Sequence, residues 1–188
     1  MKVILGVSNR HVHLTKETYK KLFGDEKLEI VKKLRQPGQY ASNKLVTLKN
    51  GDRELQKVRV LGPLRTYDQV EISRTDSIRL KVNPPVRDSG DIKGSEAITI
   101  INGDKEVHLK EGCIIANRHI HINPDEAKKY KLENVKTVKI KIDNEKGGIL
   151  NNVHIRVDKK YRFELHLDTD DGNALGVKTG DEIEIIKE

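Results

Sequence analysis

Nearly the same heptad occurs twice in this chain: Ser8-Asn9-Arg10-His11-Val12-His13-Leu14, and 108 residues later Ala116-Asn117-Arg118-His119-Ile120-His121-Ile122. Four of the seven histidines lie in the two copies. On a β-strand successive side chains point to opposite faces, so each His-x-His sets two imidazoles side by side while Val12 or Ile120 turns the other way. The apolar face can be buried, and the other face presents two nitrogen donors suited to a metal ion. Matching contexts argue against chance, and the repeat divides 188 residues into two similar halves.

The material for a core restricts the fold class. With five Tyr, two Phe and no Trp, the interior must be built from Ile, Val and Leu, which favour β-structure. Short alternating or β-branched runs recur at 2–7, 45–48, 56–61, 69–72, 97–101, 106–109, 112–116, 137–142, 153–157, 164–167 and 182–186. Most are separated by Gly, Asn, Asp or Pro. Helical signals are few, at 15–23, 123–129 and 169–174, and the first two follow a His-x-His copy directly. The repeated unit is therefore a strand carrying two ligands and then a capping helix. The chain reads as mainly β, in small barrels or sandwiches, with domains at 1–95 and 96–188. The turn-rich stretch 83–94 marks the boundary, and strand exchange between the halves remains open.

A formal charge of +7 and a pI near 9.3 give a surface that attracts anions, whether phosphate, a phosphorylated cofactor or RNA. The scarcity of rings on which bases can stack counts against nucleic acid. A single cysteine, Cys113, excludes an internal disulfide and reads as a small buried apolar residue. No apolar run is long enough for a signal peptide or a membrane span, so a soluble, cytoplasmic protein without a membrane partner is expected. The first strand-like run begins at Val3, so no N-terminal targeting extension is expected.

Each His-x-His still lacks a ligand, because zinc in enzymes commonly has three protein ligands and an open position. Glu71 in Val70-Glu71-Ile72 and His166 in Leu165-His166-Leu167 are the leading candidates, each an isolated polar residue in an otherwise apolar strand. His108 and His154 sit in similar settings, and periodicity does not rank them lower.

The motifs Asn9-Arg10-His11-Val12-His13-Leu14, Gln36-Pro37-Gly38-Gln39, Val58-Arg59-Val60-Leu61-Gly62-Pro63, Val70-Glu71-Ile72-Ser73-Arg74-Thr75-Asp76, Asn83-Pro84-Pro85-Val86-Arg87-Asp88-Ser89-Gly90, Arg118-His119-Ile120-His121 and His166-Leu167-Asp168-Thr169-Asp170 span nearly the whole chain. Together they closely resemble the PduL-type phosphate acyltransferases, which include phosphate propanoyltransferase. The resemblance implies two β-barrels capped by short helices, with a dimetal site between them, and reversible transfer of an acyl group between coenzyme A and phosphate. It further implies one zinc ion on His11, His13 and Glu71 and another on His119, His121 and His166. His108 and His154 then become ordinary strand residues, and Arg65 matches the family's phosphate-binding arginine. Microcompartment-targeted members of that family carry an N-terminal extension, which is not expected here, so association with a bacterial microcompartment is left open, as is a homo-oligomeric state.

Chemistry is consistent with that implication. Phosphate is a competent nucleophile near neutral pH and a thiolate leaves without a strong acid, so no Ser-His-Asp triad is required. Arg65 offers a planar fork for two phosphate oxygens, which a lysine cannot reproduce. Coenzyme A carries several phosphates, and Ser8, Asn9, Arg10, Lys57, Arg59 and Asn173 are the expected contacts. Arg87-Asp88-Ser89-Gly90 is either a turn offering backbone donors to an anion or a structural linker. Two alternatives use the same metals: a dimetal thioesterase or other hydrolase, and a zinc-stabilised basic module that binds a polyanion. The first would release free acid without phosphate, and the second would lose its fold with its metal.

Overall fold

Alternation between buried aliphatic and outward-facing residues carries most of the chain into strands, and tight turns carry it between them. The structure is a computed structural model and describes residues 1–186. Its elements in chain order are β1 (Lys2–Ser8), β2 (His11–His13), α1 (Lys16–Phe23), β3 (Ile30–Lys33), β4 (Tyr40–Asn50), β5 (Arg53–Gly62), β6 (Gln69–Glu71), α2 (Arg74–Leu80) and β7 (Val86–Arg87). There follow β8 (Glu96–Asn102), β9 (Lys105–Ala116), β10 (His119–Ile122), α3 (Pro124–Lys129), β11 (Thr137–Ile142), β12 (Gly148–Val157), β13 (Glu164–Asp168), α4 (Thr169–Leu175) and β14 (Glu182–Ile186).

The chain forms two compact units, each containing one His-x-His strand. One comprises Arg10–Leu34 and Gly38–Ala116. Here β4, β5, β2, β6, β9 and β8 pair in succession and β8 returns to β4, closing a six-stranded barrel from which β3 and β7 extend. Its core includes Val12, Leu14, Val58, Val60, Val70 and Ile100, all fully buried. The other unit comprises Met1–Asn9, Arg35–Pro37 and the chain from Asn117 onward. It is a closed barrel in the order β1-β13-β10-β12-β11-β14 around Leu5, Ile120, Ile122, Ile140, Val153 and Leu165. Each of these side chains contributes roughly 1.5–3 kcal/mol relative to remaining exposed.

These units do not coincide with a cut at residue 95. Strands β8 and β9 lie beyond that point yet pair with β4 and β6, completing the β2 barrel, while β1 from the extreme N-terminus pairs with β13 and β14. Residues 83–94 are accordingly no linker: Val86 and Arg87 pair in parallel with Ile115 and Ala116 of β9. The two runs expected at 106–109 and 112–116 are one strand, with a register shift between Glu96 and Ile98 and Gly112 at φ 129°.

The helices follow local rules. Thr15 caps α1 by accepting from the Thr18 N–H, and Asn123 caps α3 by accepting from that of Glu126, with Pro124 in its first turn. Both caps lie two residues after the second histidine of a copy, so each His-x-His strand stops at a fixed place and turns into a helix. Helix α2 was not expected from the sequence, although Ser73 caps it by accepting from the Asp76 N–H.

Cys113 is fully buried and burial pushes its thiol up to about 12, with the charge of Glu96 adding to the effect. The folded protein should therefore resist alkylation at pH 8 and gain one reactive thiol on denaturation. Counting alkylated cysteine by mass spectrometry before and after denaturant checks this, and rapid modification of the native protein would contradict the packing.

Candidate metal centres

Each centre is assembled by the same strand pairing. In the β2 barrel, β2 runs parallel to β5 and antiparallel to β6, which places Glu71 opposite His11 and Gln69 opposite His13. In the other, β10 runs parallel to β12 and antiparallel to β13, placing His166 opposite His119 and Glu164 opposite His121. Glu71 and His166 thus occupy equivalent positions. The ligand-capable atoms of His11, His13 and Glu71 all lie within 4.8 Å of one another, and so do those of His119, His121 and His166.

In the first cluster His11 and His13 are 8% and 2% exposed. The His11 Nε2 lies 3.4 Å from Glu71 Oε2. Burial holds the His13 imidazole well below its usual pKa, the charges of His11 and Arg65 lower it further, and Glu71 opposes them. Its buried Nδ1 makes no hydrogen bond among the described residues. A neutral imidazole with an unsatisfied nitrogen, beside a second imidazole and a carboxylate, is a donor set that fits a divalent cation.

In the second cluster the rings of His119, His121 and His166 have centroids 4.6–4.9 Å apart. The His119 Nδ1 is 2.7 Å from the Asn117 carbonyl, which only accepts. That nitrogen must carry a proton, so Nε2 is the atom this ring can offer to a cation. Tyr161 stacks on His121 with centroids 4.1 Å apart. Glu164, 5% exposed, lies 3.2 Å from His166 Nε2 and accepts from the Gln36 amide at 2.6 Å. Hydrogen bonds and positive charge, including His166 and Arg35, bring the Glu164 pKa below its ordinary value although burial alone would raise it.

An arginine before each His-x-His fastens its strand. Arg10 pairs with Asp76 in α2, whose side chain is 3% exposed. Arg118 donates from Nε and Nη2 to the two carboxylate oxygens of Asp171 in α4, both at 2.7 Å. Asp76 and Asp171 each stand three residues past the cap of the helix that follows the third-ligand strand, so both ends of a cluster are tied to one helical turn.

Arg65 follows β5 and is partly exposed. Its N–H donates to the Leu14 carbonyl at 2.8 Å, and its Nη1 donates to Tyr67 Oη at 3.2 Å and Ser89 Oγ at 3.3 Å. Of the expected coenzyme A contacts, Arg59 lies opposite His11 in the parallel pairing and donates to the Ser42 carbonyl at 2.8 Å. Lys57 is exposed at φ 59°, where the β4–β5 register shifts, so it does not simply alternate with Arg59. Ser8 pairs with Asp168, the cap of α4, and Asn9 is exposed just beyond it. Asn173 is exposed on α4, with its carbonyl accepting from Lys146. His108 and His154 lie in strands outside both clusters, with His108 Nδ1 3.1 Å from Thr99 Oγ1. Gln69, Tyr161 and Glu164 escaped sequence reasoning, their only signal being their spacing from the candidate ligands, whereas Ser89 lies in the turn singled out for backbone donors and contributes its side-chain hydroxyl instead.

Removing Arg10 leaves the Asp76 carboxylate buried without its guanidinium. Arg10→Ala should lower stability by roughly 3–5 kcal/mol, and adding Asp76→Ala should restore part of it. Urea midpoints for the four proteins of this cycle measure the coupling, and simple additivity would show that the pair does not act as a unit.

Comparison with known proteins agrees with this geometry. The family model for phosphate propanoyltransferase matches residues 4–178. A phosphate propanoyltransferase of Thermotoga maritima is 46% identical over 187 residues, covering 98% of this chain and 89% of the relative. One of Priestia megaterium is 48% identical over 181 residues, covering 95% and 83%. One of Salmonella typhimurium is 44% identical over 173 residues, covering 92% and 82%.

Proposed function

The chain belongs to the phosphate propanoyltransferase family of acyltransferases, and from that premise we propose that it moves a short acyl group, propanoyl or acetyl, reversibly between coenzyme A and inorganic phosphate in a ternary complex. The observation that carries the reading is the pair of three-ligand clusters together with the forked guanidinium of Arg65, anchored in the barrel that holds Glu71. His11, His13 and Glu71 would hold one zinc ion and His119, His121 and His166 the other. Zinc so bound supplies Lewis-acid stabilisation for phosphate, thioester carbonyl or departing thiolate.

The chain's own residues supply orientation. Arg65 is steadied through Nη1 by Tyr67 and Ser89, so its opposite edge can receive two phosphate oxygens and follow their charge into the transition state. A phosphate oxygen then attacks the thioester carbonyl carbon, the carbon–sulfur bond breaks, and sulfur keeps the electron pair. No acyl-enzyme is needed, and Cys113 is buried among core residues of the β2 barrel. Ser8, Asn9, Arg10, Lys57, Arg59 and Asn173 are the proposed contacts for coenzyme A, whose phosphates suit a chain of charge +7. Among the described residues no helix is long and apolar enough to cross a membrane; the proposed setting is the cytoplasm.

Thiol release from acetyl- and propanoyl-coenzyme A, with and without phosphate, tests the reading. Phosphate-dependent release with formation of acyl phosphate is expected. Release that ignores phosphate would assign a hydrolase, and none from protein with metal bound would favour the polyanion-binding module.

A further inference from the structure

The residue opposite the second histidine contacts the third ligand in both barrels: Gln69 beside Glu71, and Glu164 beside His166. In the β2 barrel the contact continues further. Gln69 is fully buried and uses its whole amide group. Its Nε2 donates to Glu71 Oε1 at 2.6 Å and to Ser89 Oγ at 2.8 Å, while its Oε1 accepts from the Gly90 N–H at 2.7 Å. The backbone N–H of Gly90 can only donate, so the amide orientation is fixed. Ser89 Oγ in turn accepts from Arg65 Nη1 at 3.3 Å. A continuous path therefore runs Glu71–Gln69–Ser89–Arg65.

The geometry points to Gln69 as a positioning residue that couples the carboxylate ligand to the phosphate-binding arginine, an inference that rests on the functional reading above. By occupying Glu71 Oε1, it leaves Oε2, the oxygen 3.4 Å from His11 Nε2, as the one directed at the ligand cluster. A freely rotating glutamate would offer either oxygen or both. By holding Ser89 and the Gly90 backbone, it also sets the turn against which the Arg65 guanidinium rests. One amide thus fixes the donor atom offered to the cation and the direction of the fork offered to phosphate. A carboxylate at position 69 would set a like charge against Glu71 and remove both donors, whereas the equivalent Glu164 faces a histidine and is satisfied by Gln36.

Two variants separate the halves of this role. Zinc titration of apo-protein by calorimetry reads the metal side, and steady-state kinetics of the loaded protein read the phosphate side. Gln69→Leu should weaken zinc at the His11/His13/Glu71 cluster by about 10–100-fold, leave the other cluster unchanged and raise the phosphate KM. Ser89→Ala removes the hydroxyl that joins Gln69 to Arg65 but keeps the Gln69–Glu71 hydrogen bond, so it should raise the phosphate KM several-fold with zinc affinity and the acyl-coenzyme A KM close to those of the unaltered chain. If Gln69→Leu does not fold, Gln69→Glu keeps its size and the acceptor for Gly90 and carries the same metal readout. Zinc affinity and phosphate KM unchanged in the variants, with zinc bound by the unaltered chain, would overturn this inference alone. Failure of the unaltered chain to bind zinc would overturn the functional reading beneath it.

Discussion

The cross-strand pairing of each His-x-His strand with the strand that carries its third ligand is the constraint on which the rest depends. A register slip of one residue would turn the imidazoles into the aliphatic core and drive Val12 or Ile120 into the cluster. The fully buried Val12 and Ile120 therefore hold register as firmly as any polar contact. With register set, His11 meets Glu71 and His119 meets His166 without further adjustment. The caps two residues beyond each cluster end the strands, and the Arg10–Asp76 and Arg118–Asp171 pairs fasten the preceding turn to a helix.

Within this shared scheme the centres differ in one exchange of residue type. The β2 barrel places its carboxylate in the ligand position and an amide behind it; the other barrel places an imidazole there and a carboxylate behind it. Each cluster thus has one nearby negative charge, presented directly in one case and through a histidine in the other. The two donor sets therefore differ in charge and in donor type, one with two imidazoles and a carboxylate and the other with three imidazoles.

Much of this was legible in the sequence because it is local. The strand-then-helix unit follows from two-residue spacing and from Thr15 and Asn123, and it recurs in the structure at both copies. Glu71 and His166 were visible as polar residues in apolar strands, but His108 and His154 were too. Only pairing across strands, or resemblance to a family, separates them. The domain boundary failed for the same reason: nothing local in residues 96–116 says that they close a barrel with β4 and β6. Helix α2 was hidden because Arg74–Leu80 is short and largely polar, with Ser73 its main signal. The Gln69 relay depends on Ser89 and Gly90, some twenty residues away, and no periodicity encodes it.

Metal content per chain, measured by elemental analysis on the unaltered protein and on His119→Ala, tests the central claim most directly. Two zinc ions in the unaltered chain and one in the variant are predicted, because each centre is built within its own barrel by its own strand pairing. Two ions retained in folded His119→Ala, or none in the unaltered chain after zinc loading, would contradict the account.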